Sequence, residues 1–227
     1  MRRIIYSGII FFAVAMLSPQ SVEAQGTTYL SNLNQSSAGS LAVGSDLWLG
    51  ALFNTGNNAG GYMLNSVQLA MTDASGNASG FTVMLYDRNI NIIQSTAPGS
   101  SLGSLSGSTS PATAGIYTYT APSNLILMPH SKYFIVLTSE TAVANGAYAW
   151  SLAGTYSYNE IDFWGVFSDQ GSVGGFFSSI NGSSWNVGFG NLQFAINATA
   201  VPEPSTLGLL SLGGLILGWR WRKAARK

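Results

Sequence analysis

Apolar residues recur along most of the chain with a period of two, and clusters of Gly, Ser and Asn cut the alternation into short pieces. Met63, Val67, Leu69 and Met71 fall on the odd positions of one predicted strand, and Phe81, Val83 and Leu85 mark the next. The residues from Thr72 to Gly80 between them read as the longish loop of a hairpin. A turn near Asp87, Arg88 and Asn89 leads into a strand from Ile90 to Gln94. The Ser, Gly, Thr and Pro tract from Ser95 to Ala114 is too polar to carry core, so it reads as a loop or an irregular edge. Ile116 to Thr120 alternates, Leu125 to Met128 is apolar throughout, and Pro129-His130-Ser131 turns the chain into Lys132 to Thr138. In that strand Tyr133, Ile135 and Leu137 share one face while Phe134 and Val136 share the other. Apolar residues on both faces predict a central strand covered on both sides, or one partly covered by a loop. Ala147 to Leu152, Ile161 to Phe167 and Leu192 to Thr199 complete the set, with Leu192, Phe194 and Ile196 set against Gln193, Asn197 and Thr199. About eight to ten short strands predict an all-β fold, a two-sheet sandwich or jelly roll.

The two ends break this pattern. Arg2 and Arg3 precede an apolar run from Ile4 to Leu17, and Val22-Glu23-Ala24 offers small residues ahead of a cut before Gln25. A retained membrane helix is the competing reading. Fourteen residues at about 1.5 Å each span roughly 21 Å, short of a hydrocarbon core of roughly 30 Å, so residues 1–24 read as a cleaved signal peptide. Such a segment implies the general secretion machinery and signal peptidase as partners. At the other end Val201-Pro202-Glu203-Pro204-Ser205 breaks regular structure, and an apolar run follows from Leu207 to Trp219. Arg220, Arg222, Lys223, Arg226 and Lys227 close the chain. A basic cluster after an apolar helix stays on the cytoplasmic side, which leaves the body outside. The two prolines keep Glu203 on an extended backbone that a protease can read.

Pro-Glu-Pro, a short Gly/Leu helix and an Arg-rich terminus, in that order, resemble the PEP-CTERM sorting signal of Gram-negative bacteria. An ordinary membrane anchor accounts for the helix and the charges but not for Pro-Glu-Pro at its mouth. The resemblance implies that an exosortase, an integral membrane protease or transpeptidase, reads Val201, Pro202, Glu203 and Pro204 after transient anchoring. It also implies a bacterium that makes exopolysaccharide, biofilm or floc. The chain therefore divides into a signal peptide over 1–24, a β-sandwich over 25–200 and a sorting tail over 201–227. The runs Gly61-Tyr62-Met63-Leu64-Asn65-Ser66-Val67-Gln68-Leu69, Val83-Met84-Leu85-Tyr86-Asp87 and Leu127-Met128-Pro129-His130-Ser131-Lys132-Tyr133-Phe134-Ile135-Val136-Leu137 resemble the choice-of-anchor extracellular domains, type R. That likeness implies a β-rich surface domain and transfers no activity.

With the ends set aside, the charge changes. The whole chain is formally neutral, with 8% charged residues. Between Gly26 and Ala200, however, only Arg88 and Lys132 are basic, against Asp46, Asp73, Asp87, Glu140, Glu160, Asp162 and Asp169. Two against seven leaves the body at minus five. Nucleic acid as a partner needs a basic footprint, and this body has none.

Candidate chemistry is sparse. The chain has no cysteine, which removes thiolate zinc sites, iron–sulfur clusters and disulfides. Its one histidine, His130, sits in the predicted Pro129-His130-Ser131 turn, with no Gly-x-Ser-x-Gly elbow to serve. Asp73, Ser75, Asn77 and Ser79 alternate oxygens like the start of a calcium loop, but the twelfth position is Met84, and a hairpin connection uses the same residues. No cofactor or metal is expected. Glu160 and Asp162 fall on one face of a predicted strand beside Tyr158, Phe163 and Trp164, the nearest approach to a glycosidase pair. Side chains that point the same way cannot flank a sugar from opposite sides, and charges on an edge strand account for them equally well. Aromatics crowd between Tyr148 and Phe189, where they suit either a sandwich core or a sugar-stacking surface. Trp164 and Trp185 are the outward candidates, because Gly165 and Ser183-Ser184 mark loop context; Tyr158, Glu160 and Asp162 would join them. The sum is a non-enzymatic exported surface or matrix protein, structural or adhesive through exopolysaccharide or copies of itself. The alternative is a carbohydrate-active enzyme or a specific carbohydrate-binding module.

Overall fold

The structure is a computed structural model that describes residues 26–88, 97–166 and 175–202. The predicted signal peptide, the strand from Ile90 to Gln94, and the tail from Glu203 onward lie outside the described residues, as do Phe167 and Asp169. In chain order the described strands are β1 (Thr27–Ser31), β2 (Ser37–Val43), β3 (Trp48–Asn54), β4 (Tyr62–Gly76), β5 (Thr82–Arg88), β6 (Pro98–Leu105), β7 (Gly115–Thr120) and β8 (Ile126–Leu127). They continue as β9 (Lys132–Thr138), β10 (Gly146–Ala153), β11 (Asn159–Glu160), β12 (Phe176–Ser179), β13 (Asn186–Gly188), β14 (Asn191–Leu192) and β15 (Phe194–Ala200). Among the described residues no helix is long and apolar enough to cross a membrane.

The strands form two antiparallel sheets, as the alternation predicts. One runs β11-β1-β15-β4-β10-β14, with β2 also on β10 and β7 and β8 also on β4; the other runs β13-β12-β3-β9-β5-β6. Facing side chains of both sheets make one core that includes Leu30, Phe53, Val67, Leu69, Ile135, Tyr148, Trp150 and Phe194. The central strand β9 lies between β3 and β5, and its two faces go to different clusters. Tyr133, Ile135 and Leu137 enter the main core. Phe134 and Val136 join Leu52 and Phe177 on the outer face, under Trp48, Met84, Tyr86 and Trp185. Both faces are covered, and each fully buried aliphatic or Phe side chain on β9 contributes about 1.5–3 kcal/mol.

Four expectations need correction. The β4 and β5 segments are not a hairpin: β4 pairs with β15, β10, β7 and β8 in one sheet, and β5 with β6 and β9 in the other. The connection around Asn77–Gly80 crosses between the sheets, with Gly76 and Gly80 in the left-handed region at φ of 59° and 66°. Met63 is not on the core face. Asn197 pairs with Ser66 and Ala198 with Leu64, so Asn65 is an extra residue and the side-chain parity flips across it. Tyr62 and Leu64 then point inward beside Val67 and Leu69, while Met63 is 38% exposed. The Ser/Gly tract does carry core: β6 is an edge strand of shifted register on β5, and Leu105 is buried. Finally, Ile161 onward is a turn, not a strand, because Asp162 and Phe163 take φ of 55° and 61°, leaving one bridge from Gly165 to Asn54.

The last alternating segment is present but interrupted. At Gln193 the ladder gives way to the buried Asn32 side chain, whose amide donates to the Leu192 carbonyl at 3.0 Å and accepts from the Phe194 N–H at 2.8 Å. The polar positions Gln193 and Asn197 are buried as well. Gln193 donates to the Gln35 carbonyl at 2.8 Å and accepts from the Ser151 hydroxyl at 2.6 Å, so the segment after β1 covers Gln193, whereas Asn197 is enclosed by its strand neighbours Thr28 and Ser66.

Candidate functional site

The residues predicted for sugar contact are not brought together. Trp164 is fully buried, so its outward reading is wrong. It stacks on Phe53 with centroids 5.9 Å apart and on Tyr29 at 5.0 Å, and meets the edge of Tyr62 at 5.0 Å. Its Gly165 neighbour marks a strand bridge rather than an open loop. Trp185 is half-buried on the other sheet, over the outer cluster with Phe134 and Phe177. Tyr158 is also half-buried; its hydroxyl donates to the Asn191 side-chain carbonyl, and burial pushes the phenol up from its ordinary range. Glu160 closes β11 and is exposed, whereas Asp162 lies in the turn and its carboxylate accepts from the Tyr62 hydroxyl. The two carboxyls therefore belong to different local structures and do not share a strand face. His130 occupies its turn at φ of 49°, exposed. Asp73 and Ser75 are strand residues of β4: the Asp73 carboxylate accepts from the Ala114 N–H at 2.8 Å and the Ser75 hydroxyl from the Ala147 N–H at 3.3 Å. Among the described residues no three His, Asp or Glu side chains converge as a metal site.

A different site emerges on the outer face of the nine-stranded sheet. The register aligns Thr28, Asn197, Ser66 and Thr120 as one row across β1, β15, β4 and β7, with Gln68 and Thr118 in the next. The Thr28 hydroxyl donates to the Asn197 side-chain carbonyl at 2.5 Å, Asn197 donates to Ser66 Oγ at 3.1 Å, and Gln68 donates to Thr118 Oγ1 at 3.4 Å. The bulge residue Asn65 and the Ala121–Asn124 turn raise a wall beside these rows; the Ala121 N–H donates to the Asn65 carbonyl at 2.9 Å. The result is an open groove of about 880 Å³ whose lining includes no charged side chain. Sequence reasoning passed it over because single amides and hydroxyls on a strand read as ordinary solvent-facing positions. The signal was there in Asn65, Ser66, Gln68, Thr118 and Thr120, but only pairing makes neighbours of them.

The groove runs beside the exit of the chain. Ala200 pairs with Tyr62, and the next residue is tied down: the Val201 N–H donates to the Gly61 carbonyl at 3.0 Å, and the Asn58 amide donates to the Val201 carbonyl at 2.9 Å. A Cβ at Gly60 would lie 2.4 Å from that carbonyl oxygen, so the backbone there has to be bare. Pro202 is exposed immediately afterwards, with no stalk. From this junction, residues 200–223 match the PEP-CTERM protein-sorting motif.

The chain carries a PEP-CTERM sorting signal. The motif marks an exported protein that is anchored transiently in the membrane, with an exosortase as its processing partner. No curated protein and no solved structure matches the chain. The PEP-CTERM assignment therefore rests on the tail, and no match extends to the body.

Proposed function

We propose that this exosortase substrate is a non-enzymatic, structural or adhesive component of the extracellular matrix, and that it holds exopolysaccharide in the amide-lined groove. What supports the reading is the groove's chemistry. Amides and hydroxyls from four strands converge on an open trough without a charged lining residue, on a body whose net charge is strongly negative. A neutral polysaccharide offers many hydroxyls that both donate and accept, and such a surface matches them without an ion pair. An open trough also accepts a chain that continues past both of its ends. The signal peptide and the general secretion machinery place the protein outside, and the sorting tail delivers it to the surface or matrix.

The test is retention of the purified protein on the producer's exopolysaccharide. Gln68→Leu and Thr118→Val each remove a group worth about 1 kcal/mol of hydrogen bonding, so each weakens retention by about fivefold while the unfolding midpoint stays in place. Unchanged retention by the double variant would leave self-association as the better account. Release of shortened glycan would overturn the non-enzymatic reading itself.

A further inference from the structure

The register places many strand ends together. Asn54 at the end of β3 pairs with Lys132 at the start of β9, Asp87 near the end of β5 pairs with Tyr133, and Tyr62 at the start of β4 pairs with Ala200 at the end of β15. The loop from Thr55 to Gly61 connects the two sheets here: the His130 N–H donates to the Gly56 carbonyl, and the Asn58 N–H donates to Tyr62 Oη. The turn after β11 docks on the same loop, since a Cβ at Gly56 would fall 1.8 Å from the Asp162 carbonyl oxygen. Around this end stand five large apolar side chains that the fold leaves open. Phe163 is 80% exposed, Met128 60%, Ile126 49%, Ile161 45% and Met63 38%.

We infer that this end of the sandwich is a membrane-contact face, with Phe163, Met128 and Ile126 entering the interfacial region of the lipid bilayer while the sorting tail is still inserted. The inference rests on the tail reading and extends it from the tail to the body. Val201 is strapped to the loop at this end, and the apolar run begins at Leu207. The six residue steps from Val201 to that run span at most roughly 22 Å even when fully extended. The bilayer is therefore never far from Phe163 and Met128. Aromatic and long apolar side chains at a surface gain most where they can leave water for the acyl boundary.

The difference in charge between the two ends orients the body in the same sense, this end being less acidic than the other. Arg88 and Lys132, the only basic residues between Gly26 and Ala200, and His130 all lie at this end. Asp87, Glu160 and Asp162 lie on this side too. At the opposite end Asp46, Asp73 and Glu140 have no basic counterpart in the body, and an anionic bilayer repels that end. Ile180, Val187 and Phe189 at and beside β12 and β13, Ile116 on β7 and Tyr156 after β10 are also strongly exposed, and nothing in the course of the chain brings a bilayer to them.

The absence of cysteine makes the test direct. Nitroxides are attached singly through Phe163→Cys, Met128→Cys, Ala144→Cys at the opposite end, and Leu210→Cys in the tail. The full chain is reconstituted in vesicles of phosphatidylethanolamine and phosphatidylglycerol. Accessibility to oxygen, which partitions into lipid, is compared with accessibility to an aqueous nickel chelate. The expected result is loss of chelate accessibility with gain of oxygen accessibility at 163, 128 and 210, and an aqueous ratio at 144. An aqueous ratio at 163 and 128 with 210 in lipid would overturn the contact face and leave the tail reading standing. An aqueous ratio at 210 would overturn both. Protection of 163 and 128 only in vesicles that also hold an exosortase would overturn the lipid contact in favour of docking on the enzyme.

Discussion

Replacing Trp164 by Ala separates a core ring from a ligand-stacking one, because the two roles predict opposite outcomes. The indole has no exposed surface and three aromatic neighbours, one of them parallel to within 1°. Removing a buried Trp costs about 3–5 kcal/mol through lost transfer energy and the cavity left behind. Each ring contact accounts for about 0.5–1.5 kcal/mol beyond area. Set against a total stability of about 5–15 kcal/mol, this is about a fifth of the fold or more. For a domain of 150–250 residues it lowers the melting temperature by roughly 6–20 °C. The assay is equilibrium denaturation of the purified chain followed by circular dichroism, with Trp164→Phe as the milder variant that keeps a ring against Phe53 and Tyr29. A Trp164→Ala loss under about 1 kcal/mol at unchanged denaturant slope would refute the packing argument. Loss of polysaccharide retention per folded molecule would return the ring to the list of contacts.

Three other outcomes follow from the same structure. Gly56→Ala drives a Cβ to 1.8 Å from the Asp162 carbonyl oxygen and 2.6 Å from Tyr62 Oη, so one of them must move; a loss of about 1–3 kcal/mol in urea unfolding is expected, and an unshifted midpoint would contradict it. Burial pushes the phenols of Tyr119 and Tyr158 above their ordinary range, while in the unfolded chain tyrosine gives up its proton near pH 10. The unfolded state therefore deprotonates first: stability is fully present below about pH 10 and falls as pH rises above it, which a series of unfolding midpoints up to about pH 11.5 measures and a flat series would disprove. Glu203→Ala is expected to block removal of the tail, so that mass spectrometry finds Lys227 on the variant and not on the shed wild-type protein; the same terminus on both would count against processing at that motif.

How much of this could be read before folding differs from one element to the next. β9 was legible to the residue, because Tyr133 to Leu137 is apolar on both parities and its flanks carry a Pro-His turn and polar residues. The sorting motif was legible because it works as a linear signal, read in extended form. The partner of β4 was not, since alternation identifies a strand and says nothing about which edge it meets. Met63 went to the wrong face for a local reason: one extra residue at Asn65 reverses every parity beyond it. The turn at Asp162 and Phe163 was hidden because both residues, on a pattern basis, continue a strand, and their left-handed backbone is imposed by the close approach of Gly56 and the Tyr62 hydroxyl.

The amino-acid order by itself settled the all-β class, the acidic body and the tail address, because each depends on local pattern, total charge or a contiguous motif. Folding decided which aromatics face water, which carboxylates stay apart and where amides gather into a groove. Those properties belong to residues far apart in the chain that only strand pairing makes neighbours. Trp164 and Gln68 show the two sides of that rule: a ring that looked like a surface contact is walled in by Tyr29 and Phe53, and an unremarked glutamine lies beside Thr118 on the groove floor.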